Sequence, residues 1–402
     1  MVNTPQSIQV IPKAVIEDQN ATSLRDILRN SPGITFGAGE GGGAQGEQLR
    51  IRGFSAASDL FLDGMRDYSV MNNRDQFNLE QVEVVKGASS SYSGRGATGG
   101  SIGLYSKTPN LTKSISGTAS VGTSATRRAT ADVNIPLAEY GLPGVAVRLN
   151  AMAHGADYAG RDEVENKRWG VAPSIAFGLN GPTKLTLSYL HEKHDNVPDY
   201  GLPNLSQVTP PVDYSNWYGV KGLNKEEQQR DLFTALLEHE VNESITLRNQ
   251  LRYGTSSRFN IVTIPRFPTG TTRITPTTMV TRNQSGRDTE NTQLINQTDA
   301  TFKFKTGLLD HTAIVGVELS REEYKQRTVV SNSTISTTSL WNPNPNFAHT
   351  GWSYSGAGSE AVGRTVAFYG FDTVKIGEQF EVVGGVRWDR FDAETSSTTA
   401  AG

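Results

Sequence analysis

From residue 111 to the end of the chain, apolar and polar side chains alternate one for one, over segments too long for an ordinary soluble sheet. In 128–135, Ala129, Ala131, Val133 and Ile135 share one face, and Arg128, Thr130, Asp132 and Asn134 share the other. Ile245, Leu247, Leu251 and Tyr253 alternate with Thr246, Arg248, Gln250 and Arg252, and Phe380, Val382, Val386 and Trp388 oppose Glu381, Arg387 and Asp389. A period of two is the signature of a strand with one apolar and one polar side. Counting such segments predicts about eleven strands, near 115–122, 127–137, 144–156, 167–179, 183–194, 228–241, 244–258, 288–306, 310–326, 362–376 and 379–392. Most exceed the roughly five or six residues usual in soluble sheets. The longer ones match the roughly 9–11 residues that a tilted strand needs to cross a bilayer.

The connections decide between a sandwich and a barrel. Every second link is tight: Asn180-Gly181-Pro182, Val241-Asn242-Glu243, Thr306-Gly307-Leu308-Leu309 and Ile376-Gly377-Glu378, with a slightly longer one at 138–144. The alternate links are long, about residues 195–227, 259–287 and 327–361. Short turns on one rim and long loops on the other are the asymmetry of an outer-membrane β-barrel, in which the apolar face meets lipid and the polar face a lumen. That arrangement accounts for a hydrophobic content of only 36%, because apolar residues are needed at every second position only. No run approaches 18 apolar residues, so no membrane-crossing helix is predicted.

Composition removes other classes. The chain has 402 residues, a formal net charge of −3 and no cysteine. Near-neutral charge argues against nucleic acid as a partner. The lack of cysteine excludes thiol nucleophiles, Cys-type zinc sites and disulfide scaffolds. Residues 1–5 lack the charged and apolar regions of a signal peptide.

Residues 1–110 read differently, as a small α/β unit. Ser7 to Ile11 alternates as a strand. A helix is predicted over 23–30, with Leu24, Ile27 and Leu28 on one face, Ser23 and Asp26 as a capping pair and Pro32-Gly33 as its stop. Further strands are expected at 49–51, 60–62 and 82–85.

The ordered motifs of this first unit carry a family resemblance. Thr4-Pro5-Gln6-Ser7-Ile8, Ile11-Pro12, Leu24-Arg25-Asp26-Ile27-Leu28 and Pro32-Gly33-Ile34 are followed by Ile51-Arg52-Gly53-Phe54 and Leu62-Asp63-Gly64-Met65. Val82-Glu83-Val84-Val85-Lys86-Gly87, Gly94-Arg95-Gly96 and Gly99-Gly100-Ser101-Ile102 complete the series. Together they resemble the plug of TonB-dependent outer-membrane siderophore receptors, with the stretch 63–86 most like the catecholate type. Asn296-Gln297-Thr298-Asp299 and Val383-Gly384-Gly385-Val386-Arg387-Trp388-Asp389 are similar to barrel strands of that family. Ala88 and Gly103 depart from it, standing where proline and asparagine are usual.

The resemblance implies a mainly β fold: a plug over 1–110, then over 111–402 the N-terminal half of a transmembrane antiparallel barrel, about eleven of roughly 22 strands. The chain is then expected to be a fragment, without the signal peptide, the TonB-contacting segment and the rest of the barrel. The implied function is import of a ferric siderophore across a Gram-negative outer membrane, with TonB and outer-membrane lipid as further partners. No resident cofactor is expected, since the iron arrives in the siderophore. Alternatives are a receptor for another iron chelate or a nutrient such as cobalamin, or, in a different class, an extracellular β-rich adhesin.

Candidate sites follow. A ferric catecholate is anionic and saturates its own iron, so its receptor needs cations and aromatic surface rather than metal ligands. The segment 66–77, expected at the plug apex, offers Arg66 and Arg74 as forked cations, Tyr68 and Phe77 as stacking area and Gln76 as a polar contact. An ordinary polar loop with internal Arg–Asp pairing is the alternative. Lumen-facing Arg148, Arg248 and Arg252 either add to the field or solvate the lumen. Arg52, Glu83 and Lys86 are charges on apolar plug strands. Buried charge is costly unless paired, so a network among them or with barrel carboxylates is expected, holding the plug in place. Two glycine runs, at Gly37/Gly39/Gly42 and Gly94/Gly96/Gly99, match a dinucleotide pattern but lead into extended segments rather than a helix, so the first is read as a flexible plug loop and the second as tight turns needing positive φ. His191-Glu192-Lys193-His194-Asp195 looks like a metal cluster, yet on a strand His191 and His194 point to opposite faces; a hydrated strand rim is the simpler reading. Nothing in the pattern supports an enzyme.

Overall fold

The computed structural model describes residues 7–37, 48–56, 58–87, 94, 96, 98–206, 208–377 and 379–399. The first unit contains β1 (Ser7–Pro12), α1 (Lys13–Asp18), α2 (Leu24–Leu28), β2 (Ile34–Phe36), β3 (Leu49–Ile51), β4 (Phe54–Ser55), β5 (Leu60–Leu62), β6 (Met65–Arg66), β7 (Leu79–Lys86) and β8 (Gly100–Ser106). One sheet has the order β1-β7-β8-β5-β6, antiparallel except for the β5–β8 pair, and a second joins β2, β3 and β4. Helix α2 forms where the capping pair predicts it: the Asp26 N–H donates to Ser23 Oγ and the Ser23 hydroxyl donates to the Asp26 carboxylate at 2.9 Å. Its Leu24, Ile27 and Leu28 are fully buried. The Gly99-Gly100 corner is needed for close packing, because a Cβ on Gly100 would lie 2.1 Å from the Val85 carbonyl oxygen and its φ is +139°. Of the first glycine run, Gly39 and Gly42 lie outside the described residues, as do Thr4, Pro5 and Gln6.

The remainder is one antiparallel wall in simple up-and-down order: β9 (Ser114–Val121), β10 (Arg127–Pro136), β11 (Ala146–Asp157), β12 (Glu165–Phe177), β13 (Thr183–Val197), β14 (Lys225–Asn242), β15 (Ile245–Arg266), β16 (Met279–Thr306), β17 (Leu309–Ser331), β19 (Trp352–Ile376) and β20 (Phe380–Thr398), with the two-residue β18 (Thr338–Ser339) bridged to β16. The predicted strand count stands among the described residues, but the strands end elsewhere. The β15–β16 ladder runs on to Arg266↔Thr281, and β17–β19 to Ser331↔Trp352. Alternation was the sequence signal, and it stops where the outward face leaves the apolar band. The ladder's hydrogen bonds do not need lipid and continue beyond it.

The wall is apolar outside and polar inside. Leu149, Trp169, Tyr189, Phe233, Tyr253, Leu294, Leu319, Phe368 and Trp388 are exposed, whereas Arg128, Asp132, Arg148, Asn150, Arg168, Glu192, Gln228, Arg230 and Arg252 are buried. A soluble protein does the opposite. The polar inner face is covered by the first unit, whose core of Leu28, Ile51, Leu60, Val82, Val84 and Ile102 is continuous with wall residues Met152, Ala172, Leu190 and Leu232. No described helix is long and apolar enough to cross a membrane.

The long connections are folded together. Tyr218 donates to the Leu340 carbonyl at 2.6 Å, and Arg282 donates to the Ser336 and Asn344 carbonyls at 2.9 Å. Two small apolar clusters, one around Val220, Leu223 and Ile261 and one around Tyr218, Val280 and Leu340, pack beneath them.

Candidate functional site

The segment linking β6 to β7 is the centre of the contact between the first unit and the wall. Its shape is set from within. Asp67 accepts the Ser69 N–H at 3.0 Å, Asp75 accepts the Phe77 N–H at 3.1 Å, and Arg74 Nε donates to Asp67 Oδ2 at 2.9 Å. Asn73 takes a φ of +61°, which asparagine tolerates better than most residues.

Four wall strands grip this loop by charge. The fully buried Asp75 carboxylate receives both Nη atoms of Arg128 on β10, at 2.8 and 2.7 Å, and Nε of Arg168 on β12 at 2.7 Å. The Asp75 N–H donates to Glu192 Oε1 on β13 at 2.9 Å. Glu192 accepts in turn from Arg230 of β14 at 2.9 Å and lies 2.9 Å from His194 Nε2. Arg230 also reaches Asp67 at 3.3 Å, which closes the chain. Three further backbone donors at alternate positions bond the wall: Tyr68 to Gln293 at 3.3 Å, Val70 to Ser256 at 3.1 Å and Asn72 to Gln228 at 2.7 Å. Lower anchors are Asp63 with Arg252 at 3.3 Å, and Asp132 of β10, which holds Arg148 at 2.8 Å and both Lys13 and Lys107 at 3.2 Å.

Burial alone would raise the pKa of Asp75, but Arg168 and Arg128 outweigh it and hold the carboxyl below its usual range. A depressed folded-state value means that the anchoring contribution is present above the unfolded value of about 3.9 and is lost as pH falls through the lower folded one. Protease protection of this unit in the full-length protein is therefore expected to be flat between pH 8 and pH 5 and to decline only in stronger acid.

This combination, a small α/β unit filling the polar concavity of a wall of transmembrane type, has sequence counterparts. Residues 1–101 match the model described as TonB-dependent Receptor Plug Domain, and residues 168–402 match TonB dependent receptor-like, beta-barrel. The chain belongs to the TonB-dependent receptor family. It is 36% identical to the catecholate siderophore receptor Fiu of Escherichia coli K12 over 100% of this chain and 55% of that protein. It is 33% identical to the probable TonB-dependent siderophore receptor PiuA of Acinetobacter baumannii, over 100% of this chain and 57% of that one. The crystal structure of the closed form of Fiu superposes with a TM-score of 0.92 at 35% identity, covering 100% of this chain and 58% of the other. The chain thus spans little more than half the length of the relatives it matches.

With the first unit now identified as the plug, the expected site residues fall into place unevenly. Phe77, expected as stacking surface for a ligand, is buried in the plug core against Gly170 of the wall, where a Cβ would come within 2.8 Å of its ring. Arg74 is buried and paired with Asp67, the internal pairing that was the alternative, and burial pushes its pKa down to about 9. Arg66 bonds the Ser58 carbonyl and Asp59, and lies 4.8 Å over the Phe61 ring. Gln76 accepts from Arg128 at 3.1 Å. Tyr68 is half-buried, and its N–H donates to Gln293 on β16. Both cations of this segment are paired, Arg74 with Asp67 and Arg66 with Asp59, because a buried guanidinium without a partner is too costly.

The expected network of Arg52, Glu83 and Lys86 does not form. Glu83 accepts from Tyr105 and Gln81, both at 2.9 Å, Lys86 donates to Gln9 at 3.3 Å, and Arg52 is exposed in a tight turn with φ of +52°. All are contacts within the plug. Glu83→Gln preserves an acceptor for Tyr105 and is expected to change thermal stability and plug protease sensitivity by no more than about 1 kcal/mol equivalent. The ion pairs between plug and wall run instead through Asp63, Asp67 and Asp75, and through Lys13 and Lys107 to Asp132. Arg148, Arg248 and Arg252 are paired with Asp132, Asp299 and Asp63, so none adds free charge to the lumen. Glu192 and His194, read from the sequence as a hydrated rim, are almost wholly buried against the plug, whereas His191 bonds Asp231 at 2.7 Å. Strand parity carried that signal, since 192 and 194 share the side of buried Leu190.

Proposed function

We propose that the protein imports a ferric siderophore of the catecholate type across a Gram-negative outer membrane, energised by TonB. The observation that carries this reading is the match to Fiu over the whole described plug and wall. The physics agrees with it. An outward apolar face suits lipid, and a plug seated against the wall by ionic and hydrogen-bond contacts suits a seal that must be displaced. Ligand would rest on the half-buried apex around Tyr68, Ser69 and Asn72, beneath the packed long loops. Tyr68 supplies an aromatic face for a catechol ring. The iron enters as cargo, coordinated by siderophore oxygens.

A titration of the full-length protein in detergent separates the substrate classes. Ferric catecholates are expected to quench its tryptophan fluorescence in a saturable way, and ferric hydroxamates or cobalamin are not. Saturable quenching by a hydroxamate or cobalamin, with none by catecholates, would contradict the substrate class and favour the reading as a receptor for another chelate or nutrient.

A further inference from the structure

The cations of the plug apex are already paired, Arg66 with Asp59 and Arg74 with Asp67. Charge for an anionic ligand above the apex therefore has to come from the wall. Strand β16 runs from the long-loop side at Met279 to the short turn at Thr306. Gln293 on this strand points inward, since it accepts the Tyr68 N–H. A period of two puts Asn291, Thr289 and Arg287 on the same face, each a step nearer the long loops. The ladders to β15 and β17 keep their register along this whole stretch.

The neighbours fix the height of Arg287. Asn72 of the apex donates to Gln228, which stands opposite Arg258 on β15, and Arg258 stands opposite Thr289. Arg287 lies one pleat beyond Thr289, about 7 Å along the strand. Its register partners are Asn260 on β15 and Thr328 on β17. Lower on the inner face of β17, Tyr324 stands opposite Asn291, at the height where Val70 bonds Ser256.

The two guanidiniums at this height differ in what they already hold. Arg258 gives Nε and Nη2 to Glu226 Oε1, at 3.0 and 2.8 Å. Arg287 is exposed and has no hydrogen-bond or ion-pair partner among the described residues. Beside it Asn260 is only 1% exposed, and neither its Oδ1 nor its Nδ2 has a partner among those residues. A buried amide left unpaired is costly, and a polar ligand would satisfy it.

We infer that Arg287 is the wall residue that selects the ligand by charge. It meets the anionic oxygens of the ferric complex held above Tyr68 and Asn72, with the Asn260 amide beside it and the Tyr324 ring below. The inference rests on the proposed siderophore reading. Catecholate oxygens leave the ferric complex net negative, whereas hydroxamates leave it uncharged, so the residue favours the former. Its planar fork of donors suits paired anionic oxygens, and it has no ion pair to break first.

The test measures affinity by tryptophan quenching of the full-length protein in detergent, with the ferric complex of 2,3-dihydroxybenzoate as the probe. Arg287→Gln is expected to weaken binding about tenfold or more. Thr328→Asp sets a carboxylate directly opposite Arg287 and should weaken binding by a similar factor without removing the arginine. Arg287→Lys keeps the charge and should recover most of the loss. Raising salt from about 50 mM to about 500 mM should weaken wild-type binding and affect Arg287→Gln much less. Melting temperatures should match the wild type, since Arg287 holds no other described residue. Unchanged affinity in both Arg287→Gln and Thr328→Asp, or equal salt dependence in Arg287→Gln and wild type, would overturn the inference and leave the siderophore reading standing. A wild-type protein that binds no ferric catecholate would overturn both.

Discussion

Replacing Asp75 by Asn is expected to loosen the plug while leaving the wall in the membrane. The substitution keeps the shape and removes the charge, so Arg128 and Arg168 are left buried around a neutral amide. Removing one partner of a buried ion pair typically costs about 3–5 kcal/mol, because the remaining charge stays unpaired. Here that cost falls on the seated state of the plug. Limited proteolysis of the full-length protein in outer membranes should cut the plug far faster than in the wild type, with barrel abundance unchanged. Ligand import should suffer as well, since the apex loop would lose its hold on β10 and β12. A second change, Arg168→Gln, should recover part of the loss in the double variant by removing one stranded cation, a coupling expected of residues in direct contact. Wild-type protease resistance of Asp75→Asn would show that the Asp75 anchor does not hold the plug.

Phe77→Ala is expected to be nearly as damaging, by a different cause. The ring fills the space between the plug core and Gly170, and its removal leaves a cavity worth about 3–5 kcal/mol. Phe77→Leu retains most of the volume and should cost under about 1.5 kcal/mol. The pair of variants separates packing from ligand stacking. If Phe77 packs, Leu restores both thermal stability and siderophore binding. If it stacked on a catechol, Leu would restore stability and leave affinity depressed.

Much of this architecture is legible in the sequence because one physical rule governs it. Each wall strand has lipid-type side chains at every second position, and that parity gave the strand number and the sorting of turns from loops. The same parity placed Arg128 and Asp132 on the polar face. It could not show what they meet there, since the partners of Arg128 lie on a loop far away in sequence. Asp75 looked like one more polar residue in a polar segment; only the fold reveals two guanidiniums converging on it. Phe77 misled for the converse reason. An aromatic residue beside an Arg-rich loop has the composition of a catechol site, and burial, which decides the matter, is not written in composition. Helix α1 was missed because Pro12 precedes it with no side-chain cap and it runs only from Lys13 to Asp18. The outer ends of β15 to β19 were missed because there the strands carry no alternating apolar face to declare them.

The central claim is energised import, and uptake measures it most directly. A receptor-null Gram-negative strain carrying the full-length gene should accumulate radiolabelled iron from a ferric catecholate when TonB is present and should fail to do so when TonB is deleted. Uptake that proceeds equally without TonB, or that is confined to non-catechol chelates, would contradict the account.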